Sequence, residues 1–322
     1  MLKKMSIRKI IVSSLTLFIL FLIYVIPSNK EIEDELSLEQ KLDYVYTNDL
    51  ETIYLLDSNG YVAKTSLNGC GCDKVVDKST YLIEGLIIGG KRSDIIPNGF
   101  KSIIPTDTKI LNISLENEIL KIDFSKEFLE IDEKLEEKMI ESLTYTLTSI
   151  NGISGILIYV EGSPLTKLPS GKKNIPLILD KNYGVNKIYD ITNTKDIDHY
   201  TVFYLSEFND NYYYVPVTKY INNDSQDKVK IIIEELTSAP IYESNLMSFL
   251  NVSTKLLDYE INDKTIKLNF NNMILSDITE DSILEEVMYT ISMSVLETFD
   301  INEVIFMVEN EEITKIVTKD IE

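Results

Sequence analysis

His199 is the sole histidine of this 322-residue sequence, so any Ser/His/Asp or Cys/His catalytic site would have to use it. Such sites need an imidazole that accepts the proton of the attacking hydroxyl or thiol. No Gly-x-Ser-x-Gly nucleophile motif accompanies this histidine. We therefore predict that His199 lies on the surface or packs against a tyrosine. We predict no catalytic residue and no enzyme activity.

The two cysteines, Cys70 and Cys72, are separated by a single glycine. A disulfide between them would close a very tight ring, and two sulfurs alone do not make a zinc site. We expect two loop thiols without a special role. A redox role or a metal-binding role is the alternative.

The carboxylates form no recognisable metal or cofactor motif. The run from Glu133 to Glu137 is predicted to lie on the solvated outer face of a helix, although an acid pair in a cleft is the alternative. The Asp and Asn clusters lack the spacing of a calcium loop. No Walker or dinucleotide-binding glycine pattern occurs. We therefore predict no metal site and no cofactor-binding residue.

Three consecutive tyrosines, Tyr212, Tyr213 and Tyr214, precede a Val-Pro-Val sequence. In a strand, successive side chains point to opposite faces, so at least one of these rings should be exposed. Packing is the expected role for these residues. An exposed interface position on an edge hairpin is the alternative.

The net charge of −21 bears on the choice of partner. Nucleic-acid binding requires clustered Lys and Arg that neutralise phosphates, and a strongly acidic chain repels polyanions instead. Nucleic acid is therefore excluded as an expected ligand.

The segment Gly99–Phe124 recurs 146 residues later as Asn245–Phe270, and the alignment needs no gap. A solenoid repeats every 20 to 50 residues or so, and this spacing is far wider. The sequence therefore predicts two tandem copies of one domain. The identical pairs are Ser102/Ser248, Thr108/Thr254, Lys109/Lys255, Leu111/Leu257, Lys121/Lys267 and Phe124/Phe270.

The N-terminal region predicts a membrane anchor. Residues 10–26 carry no charge, follow a basic segment (1–9) and precede an acidic tether (27–48). Their length is at the short end of the range that crosses a bilayer. The positive-inside rule then leaves residues 1–9 in the cytoplasm and the remainder outside. A cleaved signal peptide and a buried core helix are the alternatives.

Each copy is predicted to contain a β-hairpin, a helix, a second hairpin, a longer helix and a final strand, which is an α+β fold. In the first copy, the predicted strands are 52–56, 61–65, 110–115, 120–124 and 156–160, and the helices are 79–88 and 135–150. In the second, the strands are 201–205, 212–219, 256–261, 265–270 and 304–308, and the helices are 226–237 and 284–299. Leu284, Met288, Ile291, Val295 and Phe299 form the predicted apolar stripe of the last helix. We place the domains at 49–171 and 199–322, joined by a linker (172–198).

Several short motifs of the first copy, together with the order of elements, resemble the GerM family of sporulation and spore-germination proteins. The motifs are Leu82-Ile83-Glu84-Gly85, Asn98-Gly99-Phe100-Lys101-Ser102-Ile103-Ile104-Pro105, Thr108-Lys109-Ile110-Leu111, Ile122-Asp123-Phe124-Ser125 and Tyr145-Thr146-Leu147-Thr148. The second copy departs from this pattern, for example with Asn251 in place of Pro105.

The resemblance implies a domain similar to the ring-building modules of secretion-type channels. It also implies a role in assembling the channel between mother cell and forespore. The implied partners are the extracytoplasmic domains of other sporulation membrane proteins, and the chain itself would be either a monomer or an oligomer. A sensory accessory that binds a small ligand or a cell-wall fragment is the alternative, and a wall hydrolase is a third class.

Overall fold

The structure, a computed structural model, describes residues 50–222, 227–238, 244–277 and 281–317. The predicted cytoplasmic segment (1–9), membrane anchor (10–26) and tether (27–48) lie outside the described residues. Within the described ranges, no helix is both long enough and apolar enough to cross a bilayer.

The described residues form α+β repeats that follow the predicted order. The first repeat contains the strands β1 (Leu50–Asp57), β2 (Val62–Asn68), β3 (Phe100–Lys101), β4 (Ile110–Glu116), β5 (Ile119–Phe124), β6 (Gly155–Val160) and β7 (Ser163–Pro164). The joining segment and second repeat contain β8 (Ile188–Asp190), β9 (Ile197–Phe208), β10 (Asn211–Asn222), β11 (Leu256–Asn262), β12 (Thr265–Phe270), β13 (Glu303–Val308) and β14 (Glu311–Val317). The α-helices are α1 (Val75–Leu86), α2 (Glu136–Thr148), α3 (Lys228–Thr237) and α4 (Glu285–Thr298).

Tight turns fix the register of the hairpins. In the β9–β10 turn, Asn209 and Asp210 have φ angles of 52° and 63°. In the β4–β5 turn, Asn117 and Glu118 have φ angles of 49° and 61°. Two successive left-handed residues are the signature of a type I′ turn, whose twist matches that of the flanking strands. Local turn chemistry therefore specifies these hairpins.

The first hairpins of the two repeats share one sheet. Its strand order is β3-β1-β2-β10-β8, and β9 pairs with β10. Lys64 of β2 pairs with Tyr214 of β10, which links the two repeats directly. β8, from the joining segment, lies parallel to the end of β10. The segment at 172–198 is therefore partly incorporated into the sheet that joins the repeats.

The second hairpin of each repeat builds a separate four-stranded sheet. The orders are β4-β5-β6-β7 and β11-β12-β13-β14. In both sheets a parallel pair, β5–β6 or β12–β13, is connected through the longer helix. Each edge strand has a bulge at the same place, after Ile110 in β4 and after Leu256 in β11. The two repeats therefore share even this local irregularity.

Each longer helix also holds the first hairpin of its repeat. Thr146 Oγ1 in α2 accepts the N–H of Tyr54 at 2.9 Å, and Ser142 Oγ donates to the Tyr54 carbonyl at 2.6 Å. Ser294 Oγ in α4 accepts the N–H of Phe203 at 2.9 Å. These backbone groups of β1 and β9 point away from the neighbouring strand. The helix hydroxyls therefore satisfy polar groups that would otherwise be buried without partners.

The last helix differs from prediction in its buried face. Leu284 precedes the helix and is 43 % exposed, and Met288 is only partly buried. The fully buried positions include Val287, Ile291 and Val295. The predicted stripe was wrong at its start, because Leu284 lies before the helix and Val287, not Met288, is the residue of the first turn that packs in the core.

Candidate functional site

The two repeats meet around Asn186, a residue of the joining segment. Its Nδ2 donates to the carbonyls of Val62 and Pro216, both at 2.7 Å. Its Oδ1 accepts the N–H of Val62 at 2.9 Å. Val62 lies in β2 and Pro216 lies in β10, so one side chain bridges strands from both repeats. Asn186 is 7 % exposed, which shields these hydrogen bonds from water.

The residue types at this bridge have a physical reason. Asn186 adopts a left-handed φ of 47°, a conformation that asparagine tolerates better than most residues. Pro216 has no N–H, so it cannot donate to a neighbouring strand. The amide of Asn186 supplies the partner that the Pro216 carbonyl needs at this position. The bridge therefore replaces strand pairing where proline interrupts it.

A second contact between the repeats centres on Tyr213. Its hydroxyl donates to Asp57 Oδ2 at 2.8 Å, and both groups are buried. Its ring meets Phe100 edge to face at 4.9 Å. Close by, Phe208 packs on Gly99 so tightly that an added Cβ would lie 2.7 Å from the ring. The first and second repeats therefore interlock at several points of the shared sheet.

A cavity of about 350 Å³ lies beside Asn186, between the two repeats and the joining segment. We call it the junction cavity. Helix α2 lines it with Glu137, Lys138 and Glu141, and Lys134 lines it from the turn just before the helix. Further lining comes from Tyr61, Lys187, Ile188, Tyr204, Val217 and Leu246.

The two glutamates of the junction cavity already have partners. Glu137 accepts hydrogen bonds from Lys173 at 2.7 and 2.9 Å and from Lys187 at 2.9 Å. Although burial acts in the opposite sense, these lysines hold the pKa of Glu137 below its ordinary value. Glu141 accepts the N–H of Asn186 at 3.0 Å and lies 3.4 Å from Lys187 Nζ. Burial nevertheless raises the pKa of Glu141.

Two lysines of the cavity are less fully paired. Lys138 Nζ donates to Asn186 Oδ1 at 3.1 Å and lies 5.8 Å from the centre of the Tyr61 ring. Burial lowers the pKa of Lys138, against the effect of nearby carboxylates including Glu141. Lys134 is exposed at the cavity. Among the described residues, neither ammonium forms an ion pair with a carboxylate.

The run from Glu133 to Glu137 is not uniformly solvated, so that prediction was wrong. Glu136 is 5 % exposed, and its carboxylate accepts the N–H and the hydroxyl of Ser170, each at 2.8 Å. Glu137 points into the junction cavity. The loop around Ser170 and the joining segment cover this part of the helix, and helical periodicity carries no signal for such distant contacts.

Cys70 and Cys72 form a disulfide, with their Cα atoms 5.2 Å apart. The expectation of free loop thiols was therefore wrong. Gly71 adopts a left-handed φ of 63°, which allows the chain to turn tightly between the two sulfurs.

His199 lies half-buried beside Tyr220, with 5.5 Å between the ring centres. Burial lowers its pKa, and the ammonium of Lys228 adds to this effect while Asp198 opposes it. A tyrosine-packed histidine is the arrangement that the sequence predicts. In the part of the chain that the structure describes, no group of three or more His, Cys, Asp or Glu side chains could hold a metal ion.

The three consecutive tyrosines alternate between faces as predicted. Tyr212 is exposed and meets Phe249 edge to face at 5.0 Å, whereas Tyr213 is buried in the contact with Asp57. Tyr214 is half-buried, and its ring centre lies 6.3 Å from that of Tyr289. Tyr213 therefore has the predicted packing role, whereas Tyr212 is the exposed ring that strand geometry requires.

A second candidate surface lies at the bulged sheet edges. Leu111 in β4 and Leu257 in β11 are identical between the repeats and are 49 % and 50 % exposed. Each lies at the bulge of its edge strand, next to backbone that is unpaired on its outer side. Both repeats therefore present an apolar side chain at the same structural position. We call these two positions the leucine edges.

The fold defines a class of protein: a tandem duplication of an α+β domain whose two copies share a central sheet. Residues 52–166 and 201–314 both match the family model described as "Germane: Sporulation and spore germination". These matches cover well over half of the chain. The chain therefore belongs to this family of sporulation and spore-germination proteins, and the resemblance to the GerM family is confirmed.

Individual relatives agree with this assignment. The chain is 32 % identical over 283 residues to the spore germination protein GerM of Bacillus subtilis (strain 168), covering 85 % of this chain and 75 % of the relative. It is also similar to the solved structure of the tandem GerMN domains of the sporulation protein GerM from Bacillus subtilis. The TM-score is 0.74 at 31 % identity, covering 81 % of this chain and 91 % of that structure. The prediction of two tandem α+β domains is confirmed.

Proposed function

We propose that this chain is a non-enzymatic, single-pass membrane protein that assists assembly of a channel or ring complex between mother cell and forespore. Residues 10–26 would anchor it in the cytoplasmic membrane, and both repeats would lie outside the cytoplasm. Protein–protein contacts with the extracytoplasmic domains of other sporulation membrane proteins would carry the function. Membership of the sporulation and germination family supports the biological setting.

The leucine edges are the surfaces that we propose contact the partner proteins. Edge strands offer unpaired backbone groups to which another chain can add, and an adjacent apolar side chain adds buried area to such a contact. Single exposed leucines are common on protein surfaces. The presence of Leu111 and Leu257 at the same bulge in both repeats is what favours a role in binding.

The disulfide between Cys70 and Cys72 independently supports placement outside the cytoplasm. Structural disulfides persist in oxidising surroundings and are rare in the cytosol. A disulfide in the first repeat therefore favours placement of that repeat outside the cytoplasm.

Deletion and complementation in the source bacterium test the proposal. The deletion strain should arrest sporulation after engulfment and grow normally in the vegetative state. Full-length Leu111→Asp/Leu257→Asp protein, present at the normal level, should fail to restore spore yield, because a charge opposes burial at both edges. Leu177→Asp is the matched control, since Leu177 is 51 % exposed and lies outside both edges. Normal spore yield in the deletion strain would refute the proposal.

The junction cavity favours a second candidate, a sensory or signalling accessory that binds a small ligand. A cavity lined by both repeats is a common location for a ligand site, because binding sites occur preferentially between domains.

A further inference from the structure

The junction cavity has the size and placement of a small-molecule site. Its volume of about 350 Å³ falls within the range of about 300 to 1,000 Å³ that is typical of ligand pockets. Its walls come from α2 in the first repeat, from the joining segment, and from strands of the second repeat. A molecule bound there would contact all three parts at once.

The charge of the cavity is opposite to that of the whole chain. Three lysines and two glutamates line it, in a protein whose net charge is −21. Lys187 is occupied by both glutamates, and Lys173 also binds Glu137. Within the described residues, Lys138 and Lys134 are the lysines of the cavity that form no ion pair with a carboxylate. The site favours an anion.

The remaining walls favour a ring. Tyr61, Tyr189 and Tyr204 line the cavity together with Ile188 and Val217. Aromatic faces stack on planar rings and pack against the apolar faces of sugars. A small inorganic ion would leave these surfaces uncovered. The lining therefore fits an organic molecule better than a bare anion.

We propose that the junction cavity binds a small organic acid, a carboxylate carried on a sugar or an aromatic ring, with Lys138 and Lys134 holding the carboxylate. Lys138 is partly buried, so an ion pair with it would be screened less than a surface pair. The tyrosines would pack against the ring. This inference names the ligand class for the second candidate function and stands whether or not the assembly role holds.

Titration of the purified full-length chain in nonionic detergent tests the proposal. N-acetylmuramic acid probes a sugar carboxylate and benzoate probes an aromatic one, while N-acetylglucosamine and benzamide are the matched uncharged probes. Isothermal calorimetry should detect binding of at least one acid and much weaker binding of its uncharged partner. The acid that binds identifies the source of the ring.

Variants assign the binding to the cavity. Lys138→Met should weaken binding of the acid by about tenfold or more, because a charge-assisted hydrogen bond is lost. Lys138→Arg retains the charge and should retain most of the affinity, which separates loss of charge from loss of folding. Lys126→Met alters an exposed lysine outside the cavity and should bind normally.

Three results would overturn the proposal: no binding of either acid, equal binding of an acid and its uncharged partner, or unchanged affinity in Lys138→Met. Because these measurements use purified protein, their failure is distinct from any failure of the sporulation experiment.

Discussion

Two glutamates of α2 are buried, and each is satisfied by a different part of the chain. Glu136 holds Ser170 through both carboxylate oxygens. Glu141 accepts the Asn186 N–H beside Lys187. A buried carboxylate without such partners would strongly destabilise the fold. These residues therefore fix the loop at Ser170 and the joining segment against one helix.

The raised pKa of Glu141 predicts a pH dependence of stability. The folded chain holds this proton more tightly than the unfolded chain, whose glutamates titrate at about pH 4.3. The contribution of Glu141 to the free energy of unfolding is therefore fully present below that pH and is lost as pH rises through the raised pKa. The difference in unfolding free energy, native minus Glu141→Gln, should fall across this window.

Urea unfolding at a series of pH values measures this difference. Glu130→Gln is the control, because Glu130 is an exposed glutamate in the same part of the chain. A native-minus-Glu141→Gln difference that stays constant or rises with pH would show that burial does not govern Glu141.

At the scale of elements, Asn186 joins β2 to β10. Asn186→Ala should lower the free energy of unfolding by roughly 2–4 kcal/mol, because the Val62 and Pro216 groups lose buried hydrogen bonds and alanine disfavours a left-handed φ. Asn186→Gly accepts that backbone conformation freely and isolates the loss of the amide. Denaturant unfolding followed by circular dichroism measures both variants.

The amide should account for most of the effect. Asn186→Gly is therefore expected to remain clearly less stable than the native chain. Native stability in the glycine variant would mean that the amide bridge does not hold the two strands together.

Elements with local signals could be predicted from the sequence. The β4–β5 hairpin follows from alternating apolar residues around a turn, and α2 follows from apolar residues spaced by helical turns. β8 and β14 were not predicted. β8 has only three residues and pairs with the end of β10, so its strand conformation depends on a distant partner.

The junction cavity could not be predicted from the sequence, because it also depends on contacts between distant parts of the chain. Its lining brings together α2, the joining segment and the second repeat, which are far apart along the chain. Lys138 and Asn186 carry no motif that marks them as neighbours. The leucine edges could be predicted in part from the sequence, because Leu111 and Leu257 are an identical pair in the repeat. The sequence does not indicate that both leucines are exposed or that both lie on edge strands, because these properties depend on the order of strands in each sheet.

At the scale of the whole molecule, the shared sheet fixes the two repeats relative to each other. The repeats are held by the contacts at Asn186 and Tyr213. A further ion pair, at 2.7 Å, connects Lys181 of the joining segment with Glu297 of α4. The two leucine edges therefore project from one body, with a defined separation and direction. A partner that engages both edges would do so without ordering a flexible linker, which favours tight binding.

Photocrosslinking from the leucine edges in sporulating cells is the sharpest test of the proposed assembly role. A photoreactive amino acid would replace Leu111 or Leu257 in the full-length chain, and Leu177 would serve as the exposed control position. Both edges should capture the extracytoplasmic domain of another sporulation membrane protein, or a second copy of this chain, and position 177 should not. Capture no stronger from the edges than from position 177 would contradict that role.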